Sequence, residues 1–245
     1  PGRHFVGFRR MQVELVIMPR TKRGRATLNN ILSAAAQVIY EKGYHAASIN
    51  EITSLAGVAS GTFYLYFDGK YNLYKYLLLQ CSHKIRKYLS RAIKDCETRL
   101  EAERVGMRAW LKFTMENQYM YHIIWESMYV DYHLFQEYYE TFCSAYKQGL
   151  DKAKSNGEIY QDIDTEVLAY TLMGASNFLG LNWGLFQQDS SAIDHVVDQF
   201  MKIIEGQAFR ADSQISEPTG VVRRSKTEPK FRFRIDIDDD DNYDE

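Results

Sequence analysis

The chain has 245 residues, of which 45% are hydrophobic and 25% charged, a composition that supplies a sizeable core. No run of 18 apolar residues occurs, so no membrane span is expected, and Cys81, Cys96 and Cys143 lack the close spacing of a disulfide framework or zinc knuckle, which points to a reducing, cytoplasmic setting. The net charge of −2 conceals a basic stretch from Arg20 to Lys94 and an acidic end, DIDDDDNYDE.

Residues 1–19 carry a short apolar patch after arginines but no small-residue cleavage site. They read as an N-terminal extension or cloning scar rather than a signal peptide. Thr27 is the expected N-cap of a helix running to Lys42, with Leu28, Ile31, Ala35, Val38 and Ile39 on one face and Gly43 as its stop. Ser48 and Glu51 have the spacing of a capping box, opening a short helix that carries Ile52, Leu55 and Ala56. Gly57 breaks it and Ser60 caps a third helix. A long helix is expected over 70–95, with Leu78, Cys81, Ile85, Tyr88 and Leu89 inward. Further helices follow at about 98–118, 120–128, 131–155, 163–188 and 191–209, separated in part by the turn-rich SNGEIYQD and QQDSS. Residues 211–245, with Pro218, Pro229 and the acidic run, read as a disordered tail. Within it FRFRIDID alternates at period two and could pair as a ribbon with VELVI near the start, but a solvated tail or cloning remnant is the preferred reading.

Residues 57–70, GVASGTFYLYFDGK, pose the sharpest question, because five large side chains crowd into one or two helical turns. A helix this short has one inward stripe. Phe63 and Phe67, four apart and in line with Val58, take that stripe. Ser60, Gly61, Thr62, Tyr64, Leu65 and Tyr66 are left on or near the outside. Two short helices across Gly57 and Val58, preceded by a longer one, fit a helix-turn-helix, whose second short helix enters the major groove. Gly61 then allows close backbone approach, Thr62 and Tyr64 offer hydroxyls to phosphates, and Leu65 meets a thymine methyl. Lys70 adds a charge for the backbone. Arg20, Lys22, Arg23 and Arg25 read as a flexible basic arm for a neighbouring groove, or else as a solvated tail.

The span TLNNILSAAAQVIYEKGYHAASINEITSLAGVASGTFYLYFDGKYNLY resembles the N-terminal domain of TetR/AcrR-type repressors. The resemblance is carried by Glu41-Lys42-Gly43-Tyr44, Ser48-Ile49 with Ile52, Gly57-Val58, Gly61-Thr62-Phe63-Tyr64, Tyr66-Phe67 and Lys70. It covers about 50 residues. It implies an all-α homodimer with a three-helix helix-turn-helix DNA-binding domain over 20–72 and a helical effector-binding and dimerisation domain over 73–210. The family's DNA-contacting positions fall on Asn50, Ser60, Gly61, Thr62, Tyr64, Leu65, Tyr66 and Lys70. Asp68 and Gly69 depart from the basic or polar pair often found before the lysine.

Two reading heads on a palindromic operator must sit about 34–36 Å apart or a multiple of that, so a dimer is required. Leu168, Leu172, Ala175, Leu179, Trp183 and Phe186 form one stripe, with Gly174, Gly180 and Gly184 permitting close approach. Ile193, Val196, Val197, Phe200 and Ile204 form another. By resemblance Leu172, Ala175, Leu179, Trp183, Val196 and Phe200 pair with their copies in a four-helix interface, while an intrachain core would also fill both stripes. From Phe113 through Tyr146 there is no lysine or arginine. A cavity lined by Trp110, Phe113, Tyr121, Trp125, Glu126, Tyr129, Phe142 and Phe178 is expected to be aromatic and negative. It suits a neutral aromatic, a lipophilic cation over ring faces, or an acyl chain. A phosphate or coenzyme A head would need Arg108, Lys112 or Lys147. The six histidines are scattered, and no metal-ligand spacing, phosphate loop or nucleophile elbow occurs, so neither catalysis nor a cofactor is expected. The sequence thus reads as a ligand-responsive regulator, a repressor released from its operator by a small hydrophobic effector. The rival reading is a ligand-sequestering protein whose helix-turn-helix no longer reads DNA.

Overall fold

In the computed structural model, which describes residues 15–205, the chain is helical throughout, with no strand among the described residues. The acidic tail and the FRFRIDID segment lie outside that range. Helix α1 (Lys22–Ala46) starts a turn and a half before the expected cap. Thr21 is the N-cap, its hydroxyl accepting from the Gly24 N–H, while Thr27 sits inside the helix and donates to the Arg23 carbonyl. Lys22, Arg23 and Arg25 are therefore helical residues, which corrects the reading of a flexible arm. Gly43, at φ 78°, breaks the helical geometry where the sequence placed the stop.

Helix α2 (Ile49–Leu55) opens on the expected Ser48–Glu51 capping box. Gly57, at φ 68°, makes the turn into α3 (Ser60–Phe63). The N-cap of α3 is Ala59, not Ser60; the Ser60 hydroxyl donates instead to Asn50 Oδ1 at 3.3 Å. Phe63 and Phe67 are buried as expected, and Leu55 is exposed. Leu15 and Val16 are buried in the same core, and the Ile17 N–H donates to the Tyr66 carbonyl. The last residues of the expected N-terminal extension are thus packed structure.

Helix α4 (Lys70–Ala92) is followed by α5 (Arg99–Glu116), α6 (Gln118–Val130), α7 (Tyr132–Ser155), α8 (Thr165–Leu179) and α9 (Ile193–Ile204). Thr98, Asp131 and Asp164 cap α5, α7 and α8 by accepting backbone N–H groups. Past Leu179, α8 widens into a π-helical run, Gly180–Gln187. This run packs closely on α5. A Cβ at Gly180 would stand 2.7 Å from the Trp110 indole nitrogen, and one at Gly184 would land on Thr114.

Two cores result. One joins α1–α4 to α6 and α7 through Ile31, Ile39, Ile52, Phe63, Phe67, Tyr74 and Ile123. The other lies among α5, α7, α8 and α9 around Leu111, Leu150, Ala169, Val197 and Met201. The first core runs without a break across residue 72, so the three-helix head is seated on the helices behind it by shared apolar packing. Leu172, Val196 and Phe200 belong to the second core, with Ala175, Leu179 and Trp183 half-buried against it. Three of the six residues expected at the dimer interface, Leu172, Val196 and Phe200, are therefore taken up by the chain's own core. The exposed apolar side chains of the same helices are Val167, Tyr170, Phe178, Phe186 and Ile203.

Candidate nucleic-acid interface and ligand cavity

The outer face of α3 is open. Tyr64 is 56% and Leu65 63% exposed, and a Cβ added at Gly61 would meet nothing within 4 Å. Ser60 and Asn50 are exposed and hydrogen-bonded to each other, which links the start of α3 to α2. Arg25 is exposed on the first turns of α1, and Thr62 is half-exposed. Two expected members of the face are turned elsewhere. Tyr66 is buried, its hydroxyl donating to the Gly24 carbonyl at 3.2 Å, because the residue lies on the Phe63–Phe67 side of the turn. The Lys70 ammonium donates to the carbonyls of Tyr44, His45 and Ala47 at 2.7–3.2 Å and stands 4.5 Å from the Tyr44 ring centroid. It holds together the carbonyls released where α1 breaks at Gly43, and all its hydrogen-bonding capacity is used there.

Behind this face α6 meets the end of α1. Glu126 accepts the Tyr44 N–H at 2.5 Å, while its Oε2 is buried without a hydrogen-bond partner among the described residues. The Tyr74 hydroxyl donates to the Ile123 carbonyl at 2.7 Å, and burial holds that phenol well above its ordinary range. Glu126, expected in the ligand cavity, belongs to this seam instead.

A cavity of about 320 Å³ lies between α4, α5, α6 and α7, with α8 and α9 contributing to its wall. Of the expected lining, Trp110, Tyr121, Trp125 and Phe142 face it. Phe113 does not; it is core, packed on Tyr88 with ring centroids 5.1 Å apart. Tyr129 and Phe178 are 76% and 65% exposed, on outer helix faces. Trp110 and Tyr121 are oriented by donating to the Ser176 and Asn177 carbonyls. Burial pushes the Tyr121 phenol up to about 12 and that of Tyr139 higher still, so both are neutral donors at physiological pH.

The expected negative lining is corrected by residues the sequence reading passed over. Arg86 on α4 and Arg99 on α5 both line the cavity. Arg99 donates through Nε to Glu103 at 2.6 Å, and the Tyr146 hydroxyl donates to the other oxygen of the same carboxylate. The guanidinium lies over the Tyr146 ring, 4.8 Å from its centroid. Burial opposes the Arg99 charge, but Glu103 and Tyr146 outweigh it and hold the proton more firmly than usual. A Cβ at Gly149 would stand 2.5 Å from this guanidinium, so the glycine makes its room. Arg108 and Lys147 are engaged with Asp194 and Asp151, and Lys112 is exposed. The missed signal was positional. Arg99, Glu103, Gly106 and Trp110 recur at helical spacing, so the ion pair shares the inward face of α5.

No group of three or more His, Cys, Asp or Glu is placed to hold a metal among the described residues, and none of the described helices is long and apolar enough to cross a membrane.

Residues 31–77 match the family described as bacterial regulatory proteins, tetR family. The chain is 34% identical over 82 residues to the fatty acid metabolism regulator protein of Bacillus subtilis, covering 34% of this chain and 41% of that one. It is 28% identical over 113 residues to the HTH-type transcriptional activator FasR of Mycolicibacterium smegmatis, covering 46% and 50%. These alignments span half or less of the curated relatives' length. Among solved structures, FadR of Bacillus subtilis in complex with stearoyl-CoA superposes with a TM-score of 0.61 at 19% identity, over 74% of this chain and 100% of that one. That likeness extends the shared all-α fold beyond the matched domain. Both of these relatives are named as regulators, as the sequence reading expects of this chain. Residues 31–77 thus carry the tetR-family domain, and the helices behind it share the all-α fold of the solved regulators.

Proposed function

We propose that the protein is a cytoplasmic, ligand-responsive transcriptional regulator, a homodimeric repressor released from a palindromic operator by a hydrophobic effector of acyl type. The observation that carries this reading is the open face of α3 and the turn after it, where Gly61, Tyr64 and Leu65 are uncovered while Phe63 and Phe67 anchor the segment from behind. DNA reading then rests on Asn50, Ser60, Gly61, Thr62, Tyr64, Leu65 and Arg25, with Tyr66 and Lys70 acting as struts. The cavity supports the effector. Aromatic and aliphatic walls favour an apolar body, and the names of two similar proteins concern fatty acid metabolism and stearoyl-CoA. Its lining sets two guanidiniums against the single carboxylate of Glu103, which disfavours the lipophilic cation.

The dimer in this reading uses the outward side of α8 and α9. Val167, Thr171, Gly174 and Phe178 fall on one face at helical spacing, with Phe186 and Ile203 beside them. Gly174, unlike Gly180 and Gly184, has nothing of its own chain within 4 Å of an added Cβ, leaving room for a second copy. An effector shifts the heads only by binding one conformation more tightly, and α6, with Trp125 in the cavity and Glu126 on Tyr44, is the contact through which it acts. A coupling of about 1.4 kcal/mol loosens the operator about tenfold.

The test is fluorescence anisotropy on DNA from the promoter beside the protein's own gene, across a salt series. Sequence-selective, salt-steep binding that Tyr64→Ala abolishes with the dimer intact is the expected result. Ligand binding without selective DNA binding would favour the sequestering alternative.

A further inference from the structure

Resting on the DNA reading above, we propose that residues 15–19 form a strap that fixes how Tyr64 and Leu65 meet the groove. The strap acts through Tyr66, and its residues are positioning residues for operator recognition. The need for it follows from the size of α3. Ser60–Phe63 is a single helical turn, and one turn does not hold its shape unaided. Tyr64 and Leu65 lie past its end, in a turn where the Leu65 N–H donates to the Thr62 carbonyl at 3.3 Å and the Tyr66 N–H to the Phe63 carbonyl at 3.0 Å. Both side chains are exposed, so their direction is set by whatever grips the residues around them.

Part of that grip is apolar, through the buried Phe63 and Phe67, and apolar burial has no direction. The directional part falls on Tyr66, which one stretch of chain holds at both main chain and side chain. The Ile17 N–H donates to the Tyr66 carbonyl at 3.0 Å, and the Tyr66 hydroxyl donates to the Gly24 carbonyl at 3.2 Å. The strap is itself anchored. Leu15 and Val16 are buried in the core that contains Phe63 and Phe67, and the Met18 sulfur accepts the Tyr76 hydroxyl of α4 at 3.8 Å. Pro19 closes its far end against Gly24. A Cβ there would stand 2.7 Å from the Pro19 Cβ and 3.6 Å from the Tyr66 hydroxyl oxygen, so the glycine admits both. The Ile17 side chain is 65% exposed, and its hold on Tyr66 therefore runs through its backbone. In the DNA reading Leu65 meets a base edge, while Arg25 reaches phosphate through a long, adaptable side chain. Loosening the strap should then lower selectivity and spare the attraction to any duplex.

Fluorescence anisotropy of the full chain on promoter DNA and on a scrambled duplex of equal length gives the ratio of the two affinities, read well below each variant's Tm. Ile17→Pro deletes the N–H at a position whose side chain is exposed. It should cut the ratio about tenfold and leave binding to the scrambled duplex unchanged. Ile17→Ala keeps the N–H and should keep the parent ratio. Should Ile17→Pro fail to fold, Tyr66→Phe, which deletes the bond to Gly24 alone, is read in its place and should cut the ratio about threefold. A strap that served stability only would lower Tm and leave the ratio as it was. An unchanged ratio in the folded variant therefore overturns this inference and leaves the reading head standing. An equal loss in Ile17→Ala overturns it as well, because the exposed side chain would then be at work. A parent chain that binds both duplexes alike overturns the DNA reading itself, and the strap's role with it.

Discussion

Gly61→Ala separates what α3 does for the fold from what it does outside it. The added methyl meets no atom within 4 Å, and Gly61 is not among the residues with positive φ, so alanine takes the native backbone without strain. Removing glycine from a compatible position stabilises by about 0.4–1 kcal/mol, chiefly by restricting the unfolded chain. For a chain of this size that raises Tm by about 1–4 °C. Against DNA the sign reverses. A methyl on the second residue of the reading helix stands where backbone must come close to the groove, and a loss of about 1.4 kcal/mol or more gives a tenfold or greater fall in operator affinity. Thermal melts and anisotropy titrations on one preparation read both effects. Unchanged operator affinity would show that α3 does not approach DNA through Gly61. A lowered Tm would show that the face is covered in the folded protein, and the reading head would lose its physical basis.

Gly184→Ala should behave oppositely. Its Cβ falls on Thr114, a β-branched residue that is 2% exposed and whose hydroxyl donates to the Leu111 carbonyl, so overpacking of about 1–3 kcal/mol exceeds the helix gain of about 1 kcal/mol. The urea midpoint should fall, and Thr114→Ala in the same chain should recover part of it. Phe178→Lys, on the exposed face of α8, should leave the unfolding midpoint of the isolated subunit unchanged but convert the dimer to monomer in sedimentation and abolish two-headed operator binding. Asp131 caps α7 and accepts the Tyr71 hydroxyl; that bond, then the His133 and Leu134 N–H groups, hold its carboxyl below the usual range. A depressed folded pKa contributes stability above the unfolded value of about 3.9 that is lost as pH falls through the folded one. Asp131→Asn keeps a good cap and should flatten the acid limb of the stability curve measured by urea titration.

The reading head was legible because its signals are local. A capping box, a glycine turn and a four-residue aromatic repeat each constrain the next few residues, and Ser48, Glu51, Gly57, Phe63 and Phe67 lie where those rules put them. Tyr66 and Lys70 were misassigned for a local reason of another kind. Each completes the head by bonding to backbone more than 20 positions away, the Gly24 carbonyl and the carbonyls at 44, 45 and 47. No periodicity records such a partner.

The second half of the chain was legible in its helices and ambiguous in its faces. Helix α8 is apolar on two sides. Leu172 and Leu179 repeat at helical spacing on one, and Val167, Gly174 and Phe178 do so on the other. A hydrophobic period says that a stripe is covered, never by what, and here Leu172, Val196 and Phe200 are covered within the chain itself. The glycines separate them once coordinates exist. Gly180 and Gly184 lie close against Trp110 and Thr114, while Gly174 faces open space. The cavity was misjudged by the same logic. The lysine- and arginine-free segment from 113 to 146 does provide aromatic wall, yet the charge inside comes from Arg86 and Arg99 on the helices opposite. The polarity of a cavity is a property of several helices together, and reading one helix at a time assigns it only half its walls.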